Sequence, residues 1–314
     1  MHAVPMQNFT AGRNVGFMKY KSKKIDYTGY VYILPSVLLI TFFSFIPIIY
    51  AFYYSFNDYN VMQPEVFVGL KNYNRLFSDP FVVAGIKNTL LLVAVVVPLQ
   101  TVFSMMLASV IAARKRTLWI GFVKSTLFIP VISSMMLVGI VWKVILAVNG
   151  GIMNVILENI GLSPINWLGN KRLALISICI VTLWKNVGYY FVLYLAAILD
   201  IPKEYYEAAT VDGANNWQQF KSITLPLLKP VTFLVVTVGA IWSFQIFDLV
   251  YIMTGGGPGT STSTLVLAIY STAFKSFRMG YGSAIAMLLF AIIIVMTILQ
   301  KRLLSDKEEI GGKV

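Results

Sequence analysis

The chain has 314 residues, of which 58% are apolar and 12% charged, and its mean hydropathy is +0.75. The charged fraction is about half that of a soluble domain. The composition as a whole therefore excludes a disordered chain, a disulfide scaffold and a typical cytosolic enzyme. A net charge of +12 would indicate nucleic acid in a soluble protein, but in a membrane protein it indicates topology and contact with anionic headgroups.

Cysteine and histidine occur once each. Cys179 lies in an apolar run, so no disulfide can form within the chain, and we expect it to be a small core residue. His2 lies in a polar tail, which leaves no basis for histidine catalysis or a histidine metal cluster.

Six apolar stretches are long enough to cross a bilayer core, which takes about 20 helical residues. They cover residues 30–56, 86–112, 121–148, 173–199, 227–253 and 281–303. The sequence therefore predicts an all-α integral membrane protein with a six-helix domain at 30–303 and polar tails at 1–29 and 304–314. The first stretch is too long for the apolar region of a signal peptide, so we expect it to be retained.

The distribution of basic residues predicts the orientation of these spans. With the N-terminus inside, the cytoplasmic segments carry 16 lysines and arginines and the outer segments carry 7. Because basic residues favour the cytoplasmic side, both termini are predicted to be cytoplasmic, and most of the positive charge is explained without nucleic acid.

The fourth loop, residues 200–230, is longer than a simple connection, because about 27 residues separate the fourth and fifth spans. We expect Asp200 to cap a first helix and Pro202 to lie in its first turn. Asp212-Gly213 is typical of a turn that ends such a helix. The pattern predicts a structured element on the cytoplasmic face.

A second short helix is predicted in the same loop. Asn215 and Gln218 have the spacing of a capping box, which would open a helix that runs through Ile223. Pro226 is expected to end that helix and begin the fifth span. The two helices would present Tyr205, Tyr206, Trp217 and Phe220 at the surface.

The loop carries a spaced pattern formed by Glu207, Ala208, Ala209, Asp212, Gly213, Ala214, Ile223, Leu225 and Pro226. This pattern resembles the EAA signature of binding-protein-dependent ABC importer permeases. The resemblance implies a type I importer permease whose coupling helix, between the fourth and fifth spans, docks on a separate cytoplasmic ATPase. The alternative is an ordinary amphipathic surface loop.

Other segments resemble the maltose- and glycerol-phosphate-type sugar branch of that family. They are residues 67–73, 88–90, 183–188, 254–262 and 280–284. The maltose type carries extra N-terminal spans and a large outer domain, whereas this chain resembles the shorter six-span permeases.

The resemblance also implies partners and a location. They are a second homologous permease, two copies of the ATPase, an extracytoplasmic binding protein, a carbohydrate substrate and the lipid bilayer of a bacterial or archaeal cytoplasmic membrane. ATP and magnesium would bind the ATPase, and this chain, which carries no nucleotide-binding motif, would bind no cofactor and catalyse no reaction.

Polar residues inside the predicted spans are costly in lipid and are therefore functional candidates. Trp242, Gln245 and Asp248 would share one face of the fifth span at three-residue spacing. Together with Asn186 and Tyr189 they offer the aromatic faces, amides and carboxylate that bind sugars, so we expect these five to line a translocation path. Alternatively, Asp248 forms a structural pair with Lys185, and the aromatic residues belong to the interface or the core.

Two other classes of function make different demands on the sequence. A self-contained secondary transporter or channel predicts an inverted repeat or a discontinuous helix pair, and the sequence shows neither. An intramembrane enzyme would need a catalytic set within the spans, which the scattered acids do not provide. The glycines at 255–259 lack the lysine of a phosphate loop and are expected to form either a flexible outer loop or a plain turn.

Overall fold

A computed structural model describes residues 28–114 and 118–304 of the chain. The predicted tail up to residue 27, the basic residues Lys115 and Arg116, and the tail from residue 305 onward lie outside the described residues. Two compact units divide the chain, Met1–Ile48 and Ile49–Val314.

The described part of the first unit is helical. It contains α1 (Thr28–Ile40), a π-helical turn (Thr41–Phe45) and the beginning of α2 (Ile46–Ser55). Most of its large apolar side chains, among them Leu34, Phe42 and Phe43, are more than half exposed, as expected of a helix whose solvent is lipid.

The second unit carries the rest of α2 and all remaining elements. In chain order these are β1 (Asn57–Asn60), β2 (Gln63–Phe67), α3 (Lys71–Leu76), α4 (Pro80–Ala112), α5 (Leu118–Ile132), α6 (Met135–Ile145), α7 (Ile152–Asn159), α8 (Lys171–Leu199), α9 (Lys203–Val211), α10 (Asn216–Gln219), a π-helical turn (Phe220–Thr224), α11 (Leu225–Leu227), α12 (Lys229–Phe244), α13 (Asp248–Met253), α14 (Leu265–Tyr270), a π-helical turn (Ser271–Lys275) and α15 (Met279–Leu304).

Within the described residues, four helical stretches are long and apolar enough to cross a membrane: Gly29–Ser55, Pro80–Ala112, Lys171–Leu199 and Met279–Leu303. Two further pairs of helices pass the same test only together, because each pair is bent at a short break. Counting each bent pair as one span gives up to six spans, which is the number predicted, although the second pair begins within the 200–230 loop.

The third span is not the continuous helix that the sequence predicted for 121–148. Helix α5 ends two residues after Pro130, and α6 begins after Ser134, with a bend of 103° between the two segments. Pro130 does not itself end α5, because proline disrupts the turn that precedes it and the helix continues for two more residues. Ser134 has extended backbone dihedral angles and precedes the first residue of α6.

The fifth span is also broken, and here too the prediction of one helix over 227–253 is wrong. A bend of 65° separates the segment ending at Leu227 from α12, and α12 ends at Phe244. Residues 245–247 are not helical, and α13 starts at Asp248. Discontinuous helices are therefore present, contrary to the expectation drawn from the sequence.

Strands β1 and β2 form an antiparallel hairpin directly after the first span, a small departure from the all-α prediction. Asn72 holds this hairpin to α3, because its side-chain nitrogen donates to the backbone oxygens of Ser55 and Asn57 at 3.0 and 2.9 Å. These two hydrogen bonds satisfy backbone carbonyl groups at the point where the chain leaves α2.

Helices α4 and α8 run side by side in the same direction and form the centre of the second unit. Gln100 faces Asn186, and Ser104 donates to the carbonyl oxygen of Val187 at 3.0 Å. Gly188 allows α5 to cross α8 closely, since a methyl group at this position would overlap the carbonyl oxygen of Leu127. Small residues at such crossings are typical of helix packing in membranes.

The segment between α13 and α14, residues 254–264, is tied to α4. The side-chain nitrogen of Asn88 donates to the carbonyl oxygens of Thr260 and Ser263 at 2.8 and 2.9 Å. Thr262, Ser263 and Thr264 are fully buried. The 260–264 part of this segment is therefore anchored to α4, and residues 254–256 and 259–262 form turns, which is one of the two alternatives expected for the glycines.

Candidate functional site

The 200–230 loop folds into two short helices, as its sequence predicts. Helix α9 ends at a turn in which Gly213 has φ +80°, a conformation that glycine adopts without strain. The amide of Gly213 donates to the oxygen of Thr210, and that of Ala214 donates to Ala209, at 3.0 and 2.9 Å. These bonds satisfy the last carbonyl groups of α9.

The predicted capping box at the start of α10 is present. The amide of Gln218 donates to Oδ1 of Asn215 at 3.0 Å, and the amide of Asn215 donates to Oε1 of Gln218 at 2.8 Å. Two further bonds join the helices, because Nε2 of Gln219 donates to Oγ1 of Thr210 at 2.9 Å, and the hydroxyl groups of Tyr206 and Thr224 lie 2.8 Å apart. The loop is therefore one folded unit.

Two boundaries inside this loop differ from the prediction. Asp200 does not cap α9; it follows the last residue of α8, and its amide donates to the oxygen of Ala196 at 3.1 Å. Pro226 does not end the second helix, because helical structure continues through Leu227 and the break falls at Leu228. Here Pro226 lies in the first turn of α11, where proline is tolerated because its missing donor is not needed.

The surface of this loop exposes several large apolar side chains among its polar residues. Of the described residues in α9 and α10, none is buried, and Val211 and Trp217 are 87% and 70% exposed. Among the residues that match the family signature, Glu207, Ala208, Asp212, Gly213, Leu225 and Pro226 are exposed, and Ala209, Ala214 and Ile223 are partly buried. Exposed apolar patches of this kind mark protein interfaces.

A second candidate region lies at the level of the membrane, where α4, α8 and α12 meet. We call it the midspan cluster and define it as Gln100, Asn186, Tyr189, Tyr190 and Trp242. The rings of Tyr189 and Trp242 are 5.1 Å apart, and Nδ2 of Asn186 donates to Oε1 of Gln100 at 3.4 Å. Three of the five predicted path residues, Asn186, Tyr189 and Trp242, thus come together.

Gly239 brings α12 against this cluster. A methyl group at Gly239 would overlap Nε2 of Gln100 and would lie 3.2 Å from the hydroxyl of Tyr190. Gln100 and Tyr190 are fully buried, and the Gln100 side chain lies beside the hydroxyl of Tyr190. Polar groups at this depth are costly unless they are hydrogen-bonded.

Gln245 and Asp248 do not share a helix face with Trp242. The helix ends at Phe244, so the three-residue spacing that would align these side chains on one helix is interrupted. Gln245 is exposed and Asp248 is partly buried at the start of α13.

The alternative pairing of Asp248 with Lys185 is also absent. Within residues 28–114 and 118–304, no ion pair joins these two side chains, and the one found within 4.0 Å is Arg75 to Asp79 at 3.8 Å.

The sequence did not point to Gln100 or to the clustering of Phe247 and Tyr270 with Tyr251. Gln100 is a buried amide two residues after Pro98, and its polarity inside an apolar run is the signal that marks it. The aromatic cluster is formed by Phe247, Tyr251 and Tyr270, whose ring centroids lie 5.0–5.5 Å apart, with Nζ of Lys275 lying 5.1 Å from the ring centroid of Tyr251. No local pattern reveals this cluster, because it joins α13 to α14.

The chain is similar in sequence to known transport proteins. The profile of the family described as "Binding-protein-dependent transport system inner membrane component" matches residues 92–307. The arabinooligosaccharide transport permease AraP of Bacillus subtilis is 34% identical over 96% of this chain and 95% of its own length. The trehalose/maltose transport permease MalF of Thermococcus litoralis is 33% identical over 90% of this chain and 94% of its own length.

The fold is also similar to that of a solved structure. A chain in the crystal structure of a bacterial alginate ABC transporter, in complex with a periplasmic protein bound to an alginate pentasaccharide, superposes with a TM-score of 0.80. The match covers 88% of this chain and 93% of that chain at 23% identity. At this identity the likeness concerns the fold, and it agrees with the predicted architecture.

Proposed function

This chain belongs to the family of binding-protein-dependent transport system inner membrane components, and from that premise we propose that it is the membrane-spanning permease of an ATP-driven sugar importer. The proposed substrate is a sugar or oligosaccharide delivered by an extracytoplasmic binding protein. With a second homologous permease, the chain would form the path through the bilayer.

The observation that carries this proposal is the folded and exposed 200–230 loop. Its two helices are joined by the Gln219–Thr210 hydrogen bond and by the Tyr206–Thr224 contact, so the loop can transmit force as one body. We propose that Glu207 to Pro226 dock on a separate cytoplasmic ATPase, of which two copies serve the complex and carry ATP and magnesium. Closure of that ATPase would displace the loop and rotate the attached helices between inward- and outward-open states.

The midspan cluster is the proposed sugar contact. The rings of Tyr189 and Trp242 can cover the apolar face of a pyranose, and the amide of Asn186 can bind its hydroxyl groups. Gln245 and Asp248 remain proposed contacts, reached from the nonhelical segment between α12 and α13 rather than from one helix face.

Reconstitution tests the proposal directly. The chain, its second permease and the ATPase are placed in proteoliposomes with the binding protein, and sugar uptake is followed with and without ATP. We expect uptake to require both ATP and the binding protein. Uptake that follows an ion gradient in the absence of the ATPase would instead establish the secondary transporter, whose predicted discontinuous helices are present in this fold.

A further inference from the structure

A groove of about 810 Å³ lies between α4 and α8, on the end where both helices begin. Thr260 and Ser261 of the 254–264 segment close one end of it, and Asn88 holds this wall in place by donating to the oxygen of Thr260 at 2.8 Å. The lower part of the groove is apolar and is lined by Leu91, Val95, Leu99, Ile176, Ile180 and Leu183.

The end of the groove next to Thr260 is strongly cationic. Lys87, Lys171 and Arg172 line it, and among the described residues of the lining there is no carboxylate. None of these three cations has an ion-pair partner within 4.0 Å in the described part of the chain. In the predicted topology the outer segments carry seven basic residues, and three of them line this groove. They are exceptions to the positive-inside rule.

The position of two of these cations is unfavourable without an anion. Lys171 and Arg172 occupy the first turn of α8, where the helix dipole presents partial positive charge. Lys87 adds a third positive charge in the same groove. An anion bound among them would offset the repulsion that these charges otherwise impose.

The groove has the length of one leaflet. From Lys87 to Leu99 the axis of α4 rises by about 18 Å at 1.5 Å per residue. Half of a typical hydrocarbon core is about 15 Å. A single acyl chain lying along the apolar part would therefore reach from the headgroup level to the middle of the bilayer.

We propose that this groove binds one anionic phospholipid, with its phosphate headgroup at Lys87, Lys171 and Arg172 and an acyl chain between α4 and α8. Basic pockets between membrane helices bind anionic headgroups on the cytoplasmic side of membranes, and the same charge complementarity applies to this outer-side groove. The site is separate from the midspan cluster, and the proposal does not depend on the identity of the transported solute.

Lipid retention by the intact importer tests this site. The purified complex is equilibrated in nanodiscs that contain phosphatidylglycerol and phosphatidylcholine with identical acyl chains, and the lipids that stay bound are counted by native mass spectrometry. We expect a bound phosphatidylglycerol whose preference over phosphatidylcholine falls at least about tenfold in a Lys87→Gln, Lys171→Gln, Arg172→Gln variant. The matched control neutralises the exposed Lys71, Lys143 and Lys275, which do not line the groove, and should leave the preference unchanged.

Crosslinking identifies the occupant without altering charge. Ile180, 53% exposed in the groove, is replaced by p-benzoylphenylalanine and irradiated in native membranes. An adduct with the mass of one phospholipid supports the proposal. An adduct with the second permease or the binding protein would overturn it, as would equal retention of the two lipids by the wild-type complex.

Discussion

The 200–230 loop and the midspan cluster are built in opposite ways. The loop is exposed, and its internal bonds join residues three to eighteen positions apart, such as Asn215 with Gln218 and Tyr206 with Thr224. The cluster is largely buried, and its bond between Asn186 and Gln100 spans 86 positions and two helices.

This difference indicates how the two regions respond to motion. A loop with local bonds can be displaced as one body, and its own structure survives the displacement. A cluster held by three separate helices must rearrange whenever those helices shift. The loop is therefore suited to transmit a movement, whereas the side-chain contacts of the cluster are suited to change in response to it.

The largest expected effect comes from Gly213, where the loop depends on a left-handed turn. In Gly213→Val a β-branched side chain must adopt φ near +80°, which costs about 1–3 kcal/mol and distorts the docking surface. We expect ATP-dependent uptake to fall at least about tenfold while the complex still assembles. The matched control is Gly161→Val, at a glycine with φ +81° and equally open space. Equal loss of uptake in both variants would mean that backbone strain alone is responsible.

A smaller effect is expected from the buried amide of the midspan cluster. Gln100→Leu removes the acceptor for Asn186 and should raise the KM for sugar uptake by roughly tenfold, in line with 1–3 kcal/mol for an orphaned buried polar group. The control is Thr101→Val, because the Thr101 hydroxyl bonds within its own helix to Val97. An unchanged KM in Gln100→Leu would remove Gln100 from the path.

The aromatic pair of the cluster should show a loss of uptake with coupling retained. Trp242→Ala removes the ring that lies 5.1 Å from Tyr189, and we expect uptake to fall about fivefold, since ring contacts contribute about 1 kcal/mol. ATP hydrolysis stimulated by the loaded binding protein should persist in part. Trp184→Ala, which breaks a comparable ring pair with Trp142, serves as the control. Wild-type uptake in Trp242→Ala would contradict the path assignment.

The smallest effect is a local one in the loop. Asn215→Ala removes the cap of α10 and should destabilise that helix by about 1 kcal/mol. Hydrogen exchange of the Gln218 amide should accelerate by roughly fivefold, with uptake reduced only slightly. Asn216→Ala, one residue inside the helix, should leave that exchange rate unchanged. Protection of Gln218 that is unaffected by loss of the cap would show that contacts outside the loop hold it.

Much of the fold was predictable from the sequence because its causes are local. An apolar run of sufficient length is helical in lipid wherever it occurs, and the predicted capping box needs only Asn215 and Gln218 at the right spacing. The turn at Gly213 follows in the same way from a residue that tolerates positive φ. The spacing around Glu207 and Gly213 likewise gave the family that the comparisons support.

The breaks and the site were decided by tertiary structure. An apolar run looks the same whether it is straight or bent by 103°, so the breaks in the third and fifth spans left no periodic signal. Gln100 meets Asn186 because α4 and α8 lie side by side, and Asn88 anchors a segment 172 positions away. Composition and local spacing determine which segments become helices and how short turns close. Contacts between distant segments, which depend on packing and on satisfying buried polar groups, determine where those helices break and which side chains meet.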